Sequence, residues 1–405
     1  MTLLPAAVTA SEAAVLELIR PAEIAELALE LIRIPGVNPP GGEGDRARAL
    51  ATACEARGLH VRLSEVTEDR PNLSAVLPGG PGTGLLFLGH TDVVPLGDGW
   101  DPALRAGTIR DERLYGRGSA DTLGGLAAAV VAMAAIGGAG VSLRGPIELA
   151  AVVDEEENGL GIRHLLASRR GAARWAGCIV AEPTDLQTVV AARGDMYLEL
   201  SITGRAAHSG SPSDGVNAIA AAATAVAEIE RMHHESAAAP HPLVGPVTYS
   251  VGTIHGGSGT SIVAAQCCVM IDRRVLPEEQ PAAVVAAVRT RLAESGLNER
   301  DVSWQLRSTM EMPGFETAPS TLLVQVTDAA LAAAGGPQRG LGGWSAACDG
   351  GFVARDARVP TVVLGPGSIT TQAHRPNESV GIAELGIAAR AYALAALRLL
   401  PGGRP

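Results

Sequence analysis

The sequence predicts an α/β fold with a mostly parallel sheet, interrupted by a smaller inserted α+β domain, and three observations carry that expectation. Helical and strand patterns alternate from Pro21 to Glu182, the texture of a largely parallel sheet covered by helices. From about Asp195 the order changes to strand, helix, strand, strand, helix, strand, the ferredoxin-like split unit. After about Thr309 the α/β texture resumes, so the first domain is expected to be discontinuous. At 405 residues the chain is too long for one ordinary core. The expected division is 1–194 with 309–405 for the first domain and 195–308 for the second.

Each element follows from its local pattern. "PAEIAELALELIRI" from Pro21 and "ARALATACEARG" from Ala47 read as helices, and "HVRLSEV", "LSAVL" and "GLLFLGH" as strands. A long Ala-rich helix after Gly124, a buried strand "IELAAVV" from Ile147, a helix from about Gly161 and a strand "GCIVAE" continue the series. In the inserted domain "MYLELSITG", "VTYSVGTIHGG", "TSIVAAQCCVMIDRRV" and "DVSWQLRS" are the strands, with helices "GVNAIAAAATAVAEIERM" and "PAAVVAAVRTRLAES" between them. A helix near "TLLVQVTDAALAAAG" and a strand "PTVVLGPG" complete the first domain.

Composition narrows the chemistry. The net charge of −11 argues against nucleic acid or an anionic membrane as a partner. All 32 basic residues are Arg, so Schiff-base, phosphate-loop and carbamylated-lysine mechanisms are excluded. The richest apolar run, "GGLAAAVVAMAAIGGAG", is short and broken by Gly, as suits a buried helix. Five cysteines, odd in number and without a C-x-x-C pair, read as reduced thiols. With no basic secretory start at the N-terminus, a cytoplasmic location is expected. There is no G-x-S-x-G elbow for a serine hydrolase. Cys348 beside Asp349 leaves thiol chemistry as a further thought, set against a simple buried thiol.

Polar clusters punctuate the strand ends. "AVVDEEENGLG" stacks Asp154, Glu155, Glu156 and Glu157 directly after a buried strand. Like charges at ~4 Å repel by about 4 kcal/mol even at an effective dielectric near 20, so the cluster needs open water or strong counter-cations. His90 and Asp92 close "GLLFLGHTD", Asp121 precedes the long helix, Glu182 ends "GCIVAE", and His374 lies in the Gly/Pro loop "GPGSITTQAHRPNE". Singly, each has a plain reading: a surface pair, a helix cap, a loop carboxylate, a solvated histidine. Together, two His and several carboxylates at strand ends of one α/β domain converge where such folds bind ligands. Mixed His and carboxylate donors suit zinc or a similar divalent ion.

"GHTDVVPLGDGW", "LYGRGSADTLGG", "DEEENG", "AEPTD", "GRAAHSGSPSDGVNAI", "DRRVLP" and "LGPGSITTQAHRPNE" occur in one order along the chain. In that order and spacing the sequence resembles the co-catalytic zinc metallopeptidase and deacylase family. That family includes acetylornithine deacetylase, succinyl-diaminopimelate desuccinylase, aminoacylase and glutamate carboxypeptidase. The resemblance spans about Ile24 to about Leu385. It implies that His90 and Glu182 hold one zinc, that Glu156 and His374 hold the other, and that Asp121 bridges them. Cobalt or manganese are the alternative ions. Asp92 would orient His90. Glu155 would be the general base for a metal-bridging water. Asp154 and Glu157 would be bystanders, shielded by turn solvent or helix-start dipoles. The inserted domain would be a lid through which the chain forms a homodimer. Within it His208 would polarise the scissile carbonyl and Arg274 would bind a substrate carboxylate.

The chain also departs from the family pattern. Thr122 and Leu123 replace the Met and Lys common after the bridging Asp, and Ser261 and Ala264 replace the Asn and Pro of an N-x-x-P segment. Ser261 therefore becomes a candidate substrate-binding position, and Trp344 a candidate for shaping a specificity pocket. The resemblance implies a hydrolase of the amide bond of an N-acyl amino acid. A dipeptidase or carboxypeptidase acting on dipeptide-like substrates is the rival within this class. A non-catalytic binder of amino-acid derivatives is the rival from another.

Overall fold

The structure is a computed structural model describing residues 7–169 and 175–402. The chain forms two compact units, one of Met1–Ala191, Glu316–Gly343 and Cys348–Pro405, the other of Ala192–Phe315 and Trp344–Ala347.

The main sheet runs in the order His60–Thr67, Arg70–Leu77, Ile147–Val152, Gly84–His90, Trp175–Val180, Thr361–Val363, Val189–Ala192, Phe315–Glu316. Its centre is the four parallel strands from Ile147–Val152 to Thr361–Val363. Antiparallel pairing flanks it at Arg70–Leu77 and at Val189. Every residue of Gly84–His90 and Ile147–Val152 is buried, which explains their apolar runs in place of an alternating pattern. Glu148 is the exception within them, and its carboxylate accepts from Ser74 at 2.6 Å and pairs with Arg169 at 2.5 Å.

Helix Leu123–Gly138 is apolar nearly all round and buried, as a helix enclosed by protein must be. It packs against Pro21–Arg33 and Ile382–Leu399. Two positions of its first turn have no room for a side chain: a Cβ on Gly124 would meet the Ser119 carbonyl oxygen at 2.4 Å, and one on Gly125 the Ala181 oxygen at 2.2 Å. Gly125 brings the helix start, just after Asp121, against the strand end that leads to Glu182, and Gly124 lets the helix close on the loop before Asp121.

In the second unit four antiparallel strands lie in the order Thr248–Gly256, Gln266–Val275, Gly194–Thr203, Ser303–Met312. Leu198, Leu200, Ile202, Cys267, Val269 and Ile271 alternate onto one face and share a core with residues of helices Ala218–Ser236 and Pro281–Glu294. The third strand is shorter than its apolar pattern suggests, starting at Gln266 where Thr260 was expected. Residues 260–264 form a loop instead, joined to the chain near His208 by the Val263 N–H to Ala207 O bond of 2.8 Å. The sequence pattern also gives no helix before Pro21, whereas one spans Ala10–Glu17 with Thr9 and Glu12 as a capping box. Among the described residues no helix is long and apolar enough to cross a membrane.

Gly125→Ala is expected to destabilise the fold by about 1–3 kcal/mol, because the added methyl collides with backbone that cannot yield cheaply. Urea unfolding checks this, and an unchanged midpoint would refute the close approach.

Candidate metal centre

Three neighbouring parallel strands deliver the acidic cluster and its first histidine at their carboxyl ends. His90 ends Gly84–His90, Glu155 and Glu156 follow Ile147–Val152, and Glu182 follows Trp175–Val180. His374 comes from the loop after Thr361–Val363, and Asp121 from the segment before helix Leu123–Gly138.

The six side chains meet around Asp121. Its Oδ1 lies 3.2 Å from His90 Nε2, and its Oδ2 lies 3.3 Å from His374 Nε2. Glu182 Oε1 is 3.4 Å from His90 Nε2, and Glu156 Oε2 is 3.0 Å from His374 Nε2. Asp121 thus has one oxygen in each of two donor groups, His90 with Glu182 and His374 with Glu156. Donor atoms of His90, Asp121 and Glu156 lie within 4.8 Å of one another. Glu155 Oε2 stands 3.9 Å from His90 Nε2.

Asp92 meets the His90 ring and anchors the turn as well. His90 Nδ1 donates to the Asp92 backbone oxygen at 2.9 Å, while the Asp92 carboxylate is 3.5 Å away. Because a carbonyl only accepts, this bond leaves the Nε2 lone pair for a ligand. The Asp92 carboxylate accepts from the backbone N–H groups of Glu155 at 3.2 Å and Glu156 at 3.1 Å, and from Asn38 Nδ2 at 2.9 Å.

Of the two shields the sequence suggested for Asp154, solvent is absent, whereas the helix start is present: its carboxylate accepts at 3.4 Å from the N–H of Leu160, the first residue of helix Leu160–Ser168. Asp154 is buried, takes a left-handed φ of 66°, and pairs with Arg70 at 3.0 Å and Asn38 at 3.1 Å. Arg70 also binds the fully buried Glu43 at 2.6 Å. Sequence reasoning missed Asn38, Glu43 and Arg70. The left-handed Asp154 shows only as an Asp opening a Gly-terminated turn.

The electrostatics describe an excess of buried negative charge. Burial, then Asp121, pushes Glu182 up to about 8. Burial, then Glu182, Asp349 and Glu156, pushes Glu155 well above the carboxylate range despite His90. Burial opposes ionisation of Asp121, but the hydrogen bonds from His374 and His90 outweigh it and hold it low. Hydrogen bonds to Asp121 and Glu156 raise His374 to about 10. Glu156 Oε1 and both Asp349 oxygens are buried with no hydrogen-bond partner among the described residues. Such orphaned acceptors are costly, and divalent cations would supply the counter-charge. The donor set fits hard or borderline ions.

The remaining expected site residues belong to the second unit. His208 is exposed, and its Nδ1 accepts from the Gly210 N–H at 3.0 Å, which puts the ring proton on Nε2 when the imidazole is neutral. Ser261 is exposed, and its backbone oxygen accepts from the Ser209 N–H at 3.0 Å. Arg274 binds Asp272 through Nε and Nη2 and Asp195 through Nη2 at 3.1 Å. Trp344 is buried. Cys348 is buried in the first unit, and burial followed by Glu182 and Glu155 raises its thiol far above the usual range, which disfavours a thiolate nucleophile.

Residues 86–398 match the model of peptidase family M20/M25/M40. The chain belongs to that family. It is 33% identical over 336 residues to an acetylornithine deacetylase of Klebsiella pneumoniae, covering 79% of this chain and 82% of the relative. Its fold is similar to an M20 family metallo-carboxypeptidase from Sulfolobus solfataricus, with TM-score 0.78, 19% identity, and coverage of 93% and 100% of the two chains. A dinuclear metal-binding M20 peptidase from Bacillus subtilis gives TM-score 0.72 at 14% identity, covering 95% and 99%. The protein is an M20 family hydrolase acting on amide C–N bonds.

Asp92→Ala should lower stability by about 2–4 kcal/mol, since it strands buried donors on Asn38, Glu155 and Glu156 together. Asp92→Asn, which keeps one acceptor oxygen, should lose less. Denaturant unfolding of both variants checks the ranking, and equal losses would contradict it.

Proposed function

We propose that this chain is a cytoplasmic two-zinc amidohydrolase that cleaves the amide of an N-acyl amino acid, in the manner of the deacetylase branch of its family. The division of the Asp121 oxygens between two His–Glu pairs carries this reading. The 33% identity to an acetylornithine deacetylase supports the substrate class. The five cysteines, all free thiols, accord with a reducing compartment.

His90, Glu182 and Asp121 would hold one ion, and His374, Glu156 and Asp121 the other. Bound there, the ions would supply Lewis acidity and make water a stronger acid. Glu155 takes the proton from the attacking water as its oxygen adds to the amide carbon. It then returns that proton to the nitrogen as the C–N bond breaks, giving a carboxylic acid and an amine. Its burial suits the task, because a carboxyl with a raised pKa can hold a proton between the two transfers. His208, with its proton on Nε2, is suited to donate to the oxygen that gains charge. Arg274 is assigned the substrate carboxylate, with Ser261 shaping the amino-acid portion.

The second unit is proposed to join two copies of the chain. Among the described residues its outer strand Thr248–Gly256 has one edge without a partner strand. Around that unit Ile219, Ile254 and Ile262 are 42%, 47% and 45% exposed, large values for isoleucine. Sedimentation should show a dimer that Ile254→Arg weakens, and a monomer at micromolar concentration would refute it.

A turnover panel of N-acetyl, N-succinyl and N-carbamoyl amino acids beside dipeptides tests the activity. Acyl amino acids should be cleaved and a chelator should abolish the cleavage. A preference for dipeptides would favour the dipeptidase reading, which the metallo-carboxypeptidase-like fold keeps in view. Glu155→Gln should keep its bound ions while losing ~100- to 10,000-fold in kcat. His208→Ala should lose roughly 100-fold with metal content unchanged. Full activity in either variant would remove that residue from the mechanism.

A further inference from the structure

Arg117 and Glu378 form a buried pair that the reaction outlined above does not use. Glu378 Oε2 accepts from Arg117 Nη1 at 2.7 Å. Glu378 Oε1 accepts three backbone N–H groups, those of Gly118 at 3.1 Å, Ala120 at 2.9 Å and Asp121 itself at 3.2 Å. The remaining Nη hydrogens of Arg117 go to Arg375 O at 3.3 Å, Pro95 O at 3.2 Å and Leu96 O at 3.0 Å, its buried Nε has no hydrogen-bond partner among the described residues, and its guanidinium lies 5.4 Å from the Trp100 ring centroid. One ion pair thereby ties together the segment after His90 and Asp92, the segment ending in Asp121, and the loop that carries His374.

The loop with His374 has reason to need this. His374 and Asn377 hold left-handed φ values of 60° and 58°, a region that Asn tolerates but that costs a histidine energy and persists only where its surroundings impose it. The His374 side chain is 51% exposed, in contrast to the 1% of His90, which is fixed by its strand. The position of His374 relative to Asp121 is therefore set by bonds between loops and not by core packing.

We propose that Arg117 and Glu378 are positioning residues that hold Asp121 and His374 in register, and so set the affinity for the ion at the His374–Glu156 position. The inference rests on the two-ion reading above. Partners that orient metal ligands are typically worth 10- to 100-fold in ion affinity. Glu378 is also expected to be irreplaceable by its amide. In Glu378→Gln one oxygen can still accept the three backbone N–H groups, but the amide nitrogen then faces Arg117 donor to donor.

The experiment is a zinc titration of the purified full chain against a competing chelator dye, with cobalt as a second probe whose visible spectrum reports ligand geometry. The parent, Glu378→Gln and Arg117→Lys are compared at a temperature well below each melting point. The parent should bind two ions. Both variants should lose about 10- to 100-fold in affinity for the weaker ion and alter the cobalt spectrum of that site. Arg117→Lys keeps both charges, so it serves if Glu378→Gln fails to fold. Folded variants within twofold of the parent, with an unchanged cobalt spectrum, would overturn the proposal. A parent that binds no ion would instead overturn the two-ion reading itself, a result distinguishable at the first titration.

Discussion

Burying Asp121, Glu155, Glu156 and Glu182 around two imidazoles is the constraint on which the rest of the first unit depends. Pairs of like charges at such separations repel by several kcal/mol even at a generous dielectric. Chain connectivity does nothing to relieve that, since Glu155 and Glu156 are neighbours by covalent bond. The two histidines offset part of this charge, but hydrogen bonding within the protein does not satisfy the cluster: Glu156 Oε1 and both Asp349 oxygens have no partner among the described residues. An arrangement this costly is understandable in a family that includes a dinuclear metal-binding peptidase, since cations would offset it.

The surrounding architecture follows from keeping those groups together. Parallel strands place their carboxyl ends side by side, so residues distant in sequence arrive at one edge without long loops. His90 ends a strand that is buried throughout, and Glu182 follows one that is buried except at Ala176, so both inherit the rigidity of the sheet. Gly124 and Gly125 let helix Leu123–Gly138 start close enough for Asp121 to reach both histidines. The second unit is organised on another principle. Arg274 is held within a strand by two aspartates, while His208 and Ser261 sit on exposed loops joined by backbone hydrogen bonds.

Much of this was legible in the sequence because the signals are local. An apolar run that stops at His90, at Asp154 or at Glu182 announces a strand delivering polar groups to a sheet edge. The order of strands and helices in the second unit is likewise a local pattern. What escaped was tertiary. Asn38, Glu43 and Arg70 lie far from Asp154 in sequence, and no periodicity marks them as its partners. Glu378 reads as one more acidic residue after a histidine loop until the fold brings it to the amide of Asp121. The aspartates beside Arg274 were half visible. Asp272, two residues earlier on the same strand, must share its face, whereas Asp195 depends on cross-strand register.

The ordering within "DEEE" shows how the two levels combine. Asp92 accepts the amides of both Glu155 and Glu156, so the two side chains leave one anchored stretch of backbone in different directions. Glu156 reaches His374 at 3.0 Å, and Glu155 stays 3.9 Å from His90. The direction of each depends on where the turn begins, and that is decided by Asp154 in its left-handed conformation, gripped by Arg70 and Asn38. A slip of one residue would put Glu157 where Glu156 now meets His374 and Glu156 where Glu155 now stands off His90. The buried network behind the turn thus determines which of two chemically identical neighbours stands with the histidine and which stands off, a distinction that composition and spacing alone leave open.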